Sequence, residues 1–257
     1  MKYMGGKYFL CKEISQIMKS YISPEDVSGY LEPFCGALNI LIHMNEDYQC
    51  IASDNHPDLI QLWKDVQNNN FKFPNEMNES IYHECKLLKS PNSLKAFVGF
   101  SLSFGGKFFS GYADKYKNNK NENFLKEAIH SIQKIKPKIK NIQFNCQSYD
   151  KLSPKNLLIY CDPPYQNTKY PIKYRIDTKK YDLFDNNKFW DIMRQWSQNN
   201  YVFISETTAP NDFISIWEKK SHRSASQSDK TRYKNQSESF TIEKLYIHES
   251  LIKKLNI

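Results

Sequence analysis

The stretch Asn156-Leu157-Leu158-Ile159-Tyr160 runs directly into Cys161-Asp162-Pro163-Pro164-Tyr165. Its apolar run has the length and composition of a buried strand. Two consecutive prolines cannot donate to a sheet ladder, so the strand must stop and the chain must turn. An acid, two rigid residues and an aromatic ring therefore stand at the carboxyl edge of a strand. In open α/β sheets that edge is where ligands bind. A plain proline turn, with Asp162 as a turn residue and Tyr165 as packing, would read the same way in isolation. The remainder of the chain has to decide between the two.

The functional reading has a chemical rationale. The exocyclic amino group of a nucleobase is a poor nucleophile, because its lone pair is delocalised into the ring. Two acceptors that hold its two hydrogens push the nitrogen toward tetrahedral geometry. The Asp162 carboxylate can be one acceptor and the Pro163 carbonyl the other, while the Tyr165 ring stacks on the face of an extruded base. A methyl sulfonium placed in line then reacts through positioning and electrostatics, with neither a metal nor a covalent intermediate.

Composition narrows the classes. A chain of 257 residues accommodates one large α/β domain, or one domain carrying a small insert, and 40% hydrophobic content builds its core. With 17 Tyr and 16 Phe, aromatic rings remain for stacking. A net charge of +8 favours a polyanionic partner. Cys11, Cys35, Cys50, Cys85, Cys146 and Cys161 are scattered without C-x-x-C spacing or clustering with histidines. That pattern argues against a zinc site and a disulfide framework, and for a reducing compartment. Met1 to Lys7 has no apolar signal region, and no apolar run is long enough to span a bilayer. The expectation is a soluble intracellular protein with no membrane partner.

In chain order, Met4-Gly5-Gly6-Lys7 precedes a helix marked by Ile14, Ile17, Met18 and Tyr21. The glycines allow close backbone approach to a ligand, and Lys7 can face an anionic or polar group. Ser28 to Phe34 reads as a strand ending at Pro33. Cys35-Gly36-Ala37 turns, and Leu38, Ile40, Leu41, Ile42 and Met44 begin a short buried helix. A strand, a glycine turn and a helix make a nucleotide-type site with Gly36 admitting the ligand. Gln49 to Asp54 is another strand, ending in an acid about twenty residues after the glycine turn, the spacing that ribose-hydroxyl recognition requires. Asp54 could equally cap the helix that starts near Pro57 and buries Leu59, Ile60, Trp63 and Val66.

Four separated blocks now stand in order: Tyr3-Met4-Gly5-Gly6-Lys7, Glu32-Pro33-Phe34-Cys35-Gly36, Ser53-Asp54-Asn55-His56-Pro57-Asp58-Leu59 and Asp162-Pro163-Pro164-Tyr165. Together they resemble the Dam-type DNA adenine N6-methyltransferases, especially the shorter phage-like members. The resemblance implies S-adenosylmethionine bound by Tyr3, Lys7, Asp54 and Asp162, with Pro33, Phe34 and Gly36 in the same cofactor blocks. It implies catalysis by Asp162, Pro163, Pro164 and Tyr165, and no metal. Two positions depart from the pattern. Tyr3 stands where the family often has Trp, and Leu38 where members often have a second glycine.

Between the cofactor blocks and the catalytic one, Ser80 to Leu88 and Ser93 to Ser103 read as helices. Phe104-Gly105-Gly106-Lys107-Phe108-Phe109-Ser110-Gly111-Tyr112 reads as a glycine-aromatic loop. Nine lysines lie from Lys107 to Lys140 against Asp114, Glu122 and Glu127, which makes this basic region a candidate for target recognition. Ile142 and Phe144 suggest a return strand. Gln166 to Phe184 reads as a loop over the active site that gates it. Phe189, Trp190, Met193 and Trp196 mark a helix, Tyr201 to Ser205 a strand bordered by Glu206 to Pro210, Ile214 and Trp217 a short helix, and Ser221 to Ser237 a basic loop touching phosphate. Phe240 to Ile242 and Leu245 to Ile247 read as a final edge strand.

The sequence thus predicts an α/β fold. By resemblance this is a Rossmann-like S-adenosylmethionine-dependent methyltransferase, with a mixed, mainly parallel seven-stranded sheet and helices on both faces. Residues 1–69 and 141–257 form the catalytic domain, and 70–140 a small, mainly helical target-recognition insert. The expected activity is methylation of adenine N6 in double-stranded DNA. The competitors are cytosine N4 methylation, from which Asp at the first position of the tetrapeptide leans away by resemblance, and a catalytically silent DNA-binding subunit. The charge distribution generates a first prediction. Each true phosphate contact adds about one unit to the slope of log affinity against log salt. Neutralising Lys115, Lys117 and Lys120 together is therefore expected to flatten that slope and weaken binding to all sequences alike. Changes in Phe104–Tyr112 instead alter which sequences are methylated, because base contacts carry specificity. Salt titration and sequencing of methylated sites in a random library separate the two, and an unchanged slope removes the lysine tract from the interface.

Overall fold

The computed structural model describes residues 1–116, 123–165, 184–222 and 240–255. They fall into two compact units, Met1–Ile17 with Gly29–Lys151, and Met18–Ser28 with Leu152–Ile257. Helix α1, Cys11–Tyr21, carries the chain from one to the other and buries Ile14 and Met18.

The first unit is built on parallel strands β1 (Tyr30–Glu32), β2 (Cys50–Asp54) and β3 (Gln143–Cys146), in the order β3-β2-β1. Glu32 stands opposite Ala52, and Asp54 opposite Cys146, so all three carboxyl ends emerge at one edge. Parallel neighbours need a crossover. Between β2 and β3 this begins with α2 (Pro57–Gln67), which has Pro at its first turn and the His56 ring accepting from Leu59 N–H at 3.4 Å. Leu59, Ile60, Leu62, Trp63 and Val66 are its buried apolar residues, and it packs on β2 and β3. The Gln67 carboxamide ties its far end to the entry of β3, donating to Ile139 O at 2.6 Å and Ile142 O at 2.8 Å. Between β1 and β2 the expected helix shrinks to one 3-10 turn, Leu41–His43. The reason is local: Leu38 takes a φ of +61°, which no right-handed helix accommodates.

Residues 70–116 and 123–140 belong to this same unit. Helices α3 (Glu79–Leu87), α4 (Ser93–Ala96) and α5 (Phe124–Ile135) each start at an asparagine, Asn78, Asn92 and Asn123, whose side chain accepts a backbone N–H. The helix expected from Ser93 to Ser103 is α-helical for one turn only. It then widens to π geometry over Phe97–Ser101, all of whose residues are buried, so aromatic packing has overridden local geometry.

The second unit orders its strands β4-β5-β7-β6. Here β4 is Leu158–Cys161, β5 Tyr201–Glu206, β6 Phe213–His222 and β7 Phe240–His248. Strands β4 and β5 are parallel, while β7 runs antiparallel to both β5 and β6. Helix α6 (Asn186–Asn199) starts at the Asp185 cap and buries Phe189, Trp190, Met193 and Trp196, with Met193 Sδ 3.5 Å from Cys161 Sγ on β4. Two expectations are corrected. Ile214 and Trp217 are in strand β6 rather than a helix. A bulge between Ser215 and Trp217 inserts Ile216 and breaks the period-two alternation that would have announced a strand. The last strand, β7, is interior rather than an edge: its Leu245 and Ile247 are fully buried, and β6 takes the edge.

The seven strands are thus mixed and mainly parallel and are accompanied by helices, the α/β class expected. Of the loops expected at 166–184 and 221–237, residues 166–183 and 223–237 lie outside the described residues, as does the tract 117–122, while Ser221 and His222 end strand β6 rather than open a loop. No helix among the described residues is long and apolar enough to cross a membrane.

A buried acid on α2 gives a test of this packing. Asp58 is 2% exposed, and its carboxylate accepts from Ser90 Oγ at 2.9 Å and Asn92 N at 2.7 Å. Asp58→Ala leaves both donors without that acceptor; Ser90 is exposed and Asn92 half-buried, so water replaces part of what is lost and the cost is about 1 kcal/mol. Urea denaturation is expected to show a loss of that size, and a loss below about 0.5 kcal/mol would sink the assignment.

Candidate active site

In the first unit β1 ends at Glu32 and the chain turns through Pro33, Phe34, Cys35 and Gly36. Pro33 is buried; Phe34 is half-buried, its ring 5.1 Å from that of Tyr149. The turn is clipped to the end of β2 by Cys35 N–H donating to Ser53 O at 2.9 Å. Gly36 has a φ of +43°, and a Cβ there would lie 3.0 Å from the Tyr3 ring, so both conformation and space select glycine. Its carbonyl accepts the indole N–H of fully buried Trp63 at 2.9 Å, and its own N–H donates to Asp54 Oδ2 at 3.2 Å. Asp54 Oδ1 accepts from His56 N–H at 3.0 Å. Asp54 therefore fastens the β1 turn to the β2 turn, and the side chain that caps α2 is His56 instead. Leu38, at the position where a second glycine was expected by resemblance, keeps the left-handed backbone while burying its side chain completely.

The N-terminal segment lies against this turn. Met4 N–H donates to Gly106 O at 3.1 Å, and a Cβ on Gly106 (φ +68°) would fall 2.6 Å from Tyr3 N. The Tyr3 ring has Phe100 at 4.9 Å. Phe108 follows from the same glycine-aromatic loop, 4.7 Å from Phe100 and 4.6 Å from His56. Tyr3, Gly36 and Asp54 are thus brought together. Lys7 is buried, with Nζ donating to Gly5 O at 3.2 Å.

Asp162, Pro163, Pro164 and Tyr165 belong to the second unit. They follow β4 directly, Pro163 buried and the other three half-buried. Cys161 pairs with Ile204 in parallel register, so Asp162 leaves the sheet where β5 ends at Ser205 and Glu206. Antiparallel β7 returns to this edge, with Lys244 opposite Glu206. Tyr165 hydroxyl donates to Glu243 Oε2 on β7 at 2.7 Å. Glu206 is 2% exposed and accepts from Thr207 Oγ1 at 3.0 Å.

Burial governs the protonation states. It lifts the Asp54 carboxyl to about 6, partly opposed by the N–H groups of His56 and Gly36. It lowers the His56 imidazole to about 4, and with Nδ1 accepting from Leu59 the ring proton is assigned to Nε2. Burial, followed by the charges of Asp54 and Glu32, pushes the Cys35 thiol well up, which makes it a poor nucleophile. Burial, followed by the charges of Asp162 and Glu243, pushes the Tyr165 phenol well up, so it remains a hydrogen-bond donor.

Four functional neighbours escape a reading of the sequence. Trp63 reads only as core, and Glu243 as one acid among polar strand residues. Gly106 has a signal in the Gly105-Gly106 pair, and His56 in its place one residue before Pro57, where a helix cap belongs.

The raised Asp54 carboxyl carries a sign. Its proton is held more tightly folded than unfolded, so its contribution is present at acid pH and is lost as pH rises from the unfolded value of 3.8 through about 6. Relative to Asp54→Asn, the unliganded protein is expected to lose on the order of 2–3 kcal/mol between pH 4 and pH 7. Parallel stability–pH curves for the two proteins, from denaturant titrations, would refute the buried carboxylate.

The chain is similar to several known proteins. The family model described as D12 class N6 adenine-specific DNA methyltransferase matches residues 3–105 and 95–242. Type II methyltransferase M.FokI of Planomicrobium okeanokoites is 23% identical over 251 residues, covering 86% of this chain and 38% of that protein. The DNA adenine methylase of Haemophilus influenzae is 27% identical over 186 residues, covering 64% of this chain and 63% of that one. The chain therefore spans less than two thirds of the length of either relative. Among solved structures, the rRNA methyltransferase aviRa from Streptomyces viridochromogenes aligns with a TM-score of 0.44 at 11% identity, covering 100% of this chain and 90% of that chain. With the family model matched across most of its length, this chain belongs to the D12 class N6 adenine-specific DNA methyltransferase family.

Proposed function

We propose that the chain transfers a methyl group from S-adenosylmethionine to the N6 amino group of adenine at specific sites in double-stranded DNA. The observation that carries this reading is the loop after β4. There an acid, a fixed proline carbonyl and a tyrosine whose hydroxyl is bonded to Glu243 follow one another at a strand's carboxyl edge. Asp162 and the Pro163 carbonyl take the two amino hydrogens and leave the nitrogen lone pair free to react. Tyr165 stacks on the extruded base, and Pro164 fixes the backbone between them.

The first unit's donor set fits the methyl donor. The buried Asp54 carboxylate accepts from Gly36 N–H on one oxygen and His56 N–H on the other, with Asn55 N–H also stabilising it, and of its roughly four lone-pair sites at least one remains for a ribose hydroxyl. Gly36 presents bare backbone beside the Tyr3 ring. Asp54, Gly36, Tyr3, Lys7, Pro33 and Phe34 would hold the cofactor; for Asp162, in the other unit, a cofactor contact is proposed from the family resemblance alone. When bound, S-adenosylmethionine supplies an electrophilic methyl on a sulfonium. No metal is invoked. Residues 70–140 are assigned to target recognition, with Phe104, Gly105, Lys107 and Ser110 as the exposed members of a loop whose other aromatics are half-buried. The protein would act inside the cell.

Incubating the protein with labelled cofactor and double-stranded DNA, then digesting to nucleosides, is expected to give N6-methyladenine. Label on cytosine N4, or no label, overturns the proposal. Asp162→Ala should lower turnover on the order of 10²–10³-fold, the weight of one preorganised group at the reacting atom. Asp54→Ala should weaken cofactor binding in calorimetry and leave cofactor-free DNA affinity unchanged.

A further inference from the structure

The catalytic reading uses the Tyr165 ring and assigns nothing to its hydroxyl. In the structure that hydroxyl donates to Glu243 Oε2 at 2.7 Å, across to a strand that runs antiparallel past the end of β5. Glu243 is itself fixed: it lies within the β6–β7 ladder, paired with Lys219, and Lys244 beside it forms an ion pair with Glu218 at 3.6 Å. Tyr165 follows two prolines, so its backbone is restricted at one end while its hydroxyl is bonded at the other. With Cβ and the hydroxyl oxygen both held, the ring axis is fixed, and the phenolic O–H, which prefers to lie in the ring plane, favours the plane that aims it at Glu243 Oε2.

We infer that Glu243 is a positioning residue for base capture, setting the plane of the Tyr165 ring so that the extruded adenine meets a platform already in place. The inference rests on the proposed adenine methylation and deepens it. Stacking on a mobile ring would spend part of its energy on ordering that ring; the Glu243 bond pays this cost before the base arrives. A carboxylate suits the task, because hydrogen bonds to a charged acceptor are shorter and about twice as strong as neutral ones. The raised phenol supports the same picture, since the donor proton stays in place across the working pH range. The sheet gives the arrangement its rigidity. Glu243 sits on a β7 that is paired on both sides, by β5 and by β6.

A double-mutant cycle tests this. Tyr165→Phe keeps the ring and removes the donor; Glu243→Ala removes the acceptor; Glu243→Gln keeps an acceptor oxygen. Base capture is read with a fluorescent adenine analogue at the target position, alongside kcat, KM for DNA and KM for S-adenosylmethionine. Tyr165→Phe and Glu243→Ala are each expected to lower base capture and kcat/KM for DNA about tenfold, the weight of one charge-assisted hydrogen bond. The double variant should be no worse than either single one, and Glu243→Gln, whose amide oxygen is a neutral acceptor, should recover about half of the loss in free energy, leaving a deficit of about threefold. KM for the cofactor should not move, which a general collapse of the unit could not achieve. Losses that multiply in the double variant, or normal base capture in Tyr165→Phe, overturn the inference and leave the methylation reading standing. Should Glu243→Ala not fold, Tyr165→Phe and Glu243→Gln decide alone: a normal Phe variant overturns it, and an impaired Phe variant beside an active Gln variant upholds it. Absence of adenine methylation by the unaltered protein overturns the reading beneath, and the inference falls with it.

Discussion

A carboxylate buried at the end of a strand must be compensated by fixed donors, and Asp54 takes its donors from two different turns. The N–H of Gly36 comes from the turn after β1, and the N–H of His56 from the turn after β2. Because each oxygen is held by a separate loop, neither loop can shift without stripping a hydrogen bond from a desolvated charge. Trp63 closes the arrangement from below, with its indole on the Gly36 carbonyl. A ligand arriving at this edge meets backbone already in position, and the order comes from helix α2 and from strand register. The same constraint explains why the acid titrates near 6: the donors compensate the burial only in part.

The second unit solves a parallel problem by other means. The loop proposed to be catalytic leaves β4 through two prolines, which remove backbone freedom but offer no N–H with which to anchor the loop. Anchoring falls to a side chain, the Tyr165 hydroxyl, and to an antiparallel strand that places an acceptor at an edge otherwise formed by parallel ones. The mixed sheet is therefore part of the site: a purely parallel continuation after β5 would run its next strand the opposite way to β7. Tyr160, bonded through its hydroxyl to Ser205 at 2.8 Å, braces β4 to β5 just beneath.

The elements most legible in the sequence were those where a strong apolar run meets a stop signal. Strand β4 before Pro163, strand β2 before Asp54 and helix α2 after Pro57 lie within a residue or two of where pattern and proline place them. Strand β6 was not legible, because the extra residue at Ile216 shifts the alternation halfway along. The short helix after Gly36 failed at Leu38, whose left-handed backbone no propensity scale anticipates for a leucine. Of the candidate site, Asp54, Gly36 and Asp162 to Tyr165 stood out because the blocks that hold them follow one another in a family's order, although an acid or a glycine at a strand end is by itself an ordinary turn residue. Glu243 did not, because its role depends on a strand pairing that brings distant segments together. Gly106 was visible as a glycine but not as the partner of Met4, for the same reason.

That last contact has a consequence for how the protein is made. The backbone bond between Met4 and Gly106 joins segments about a hundred residues apart, and closing so long a loop is slow compared with forming local turns. On the ribosome, the segment that carries Tyr3 and Lys7 emerges long before its seat exists. It stays exposed to proteases and chaperones until the glycine-aromatic loop has been synthesised and has folded.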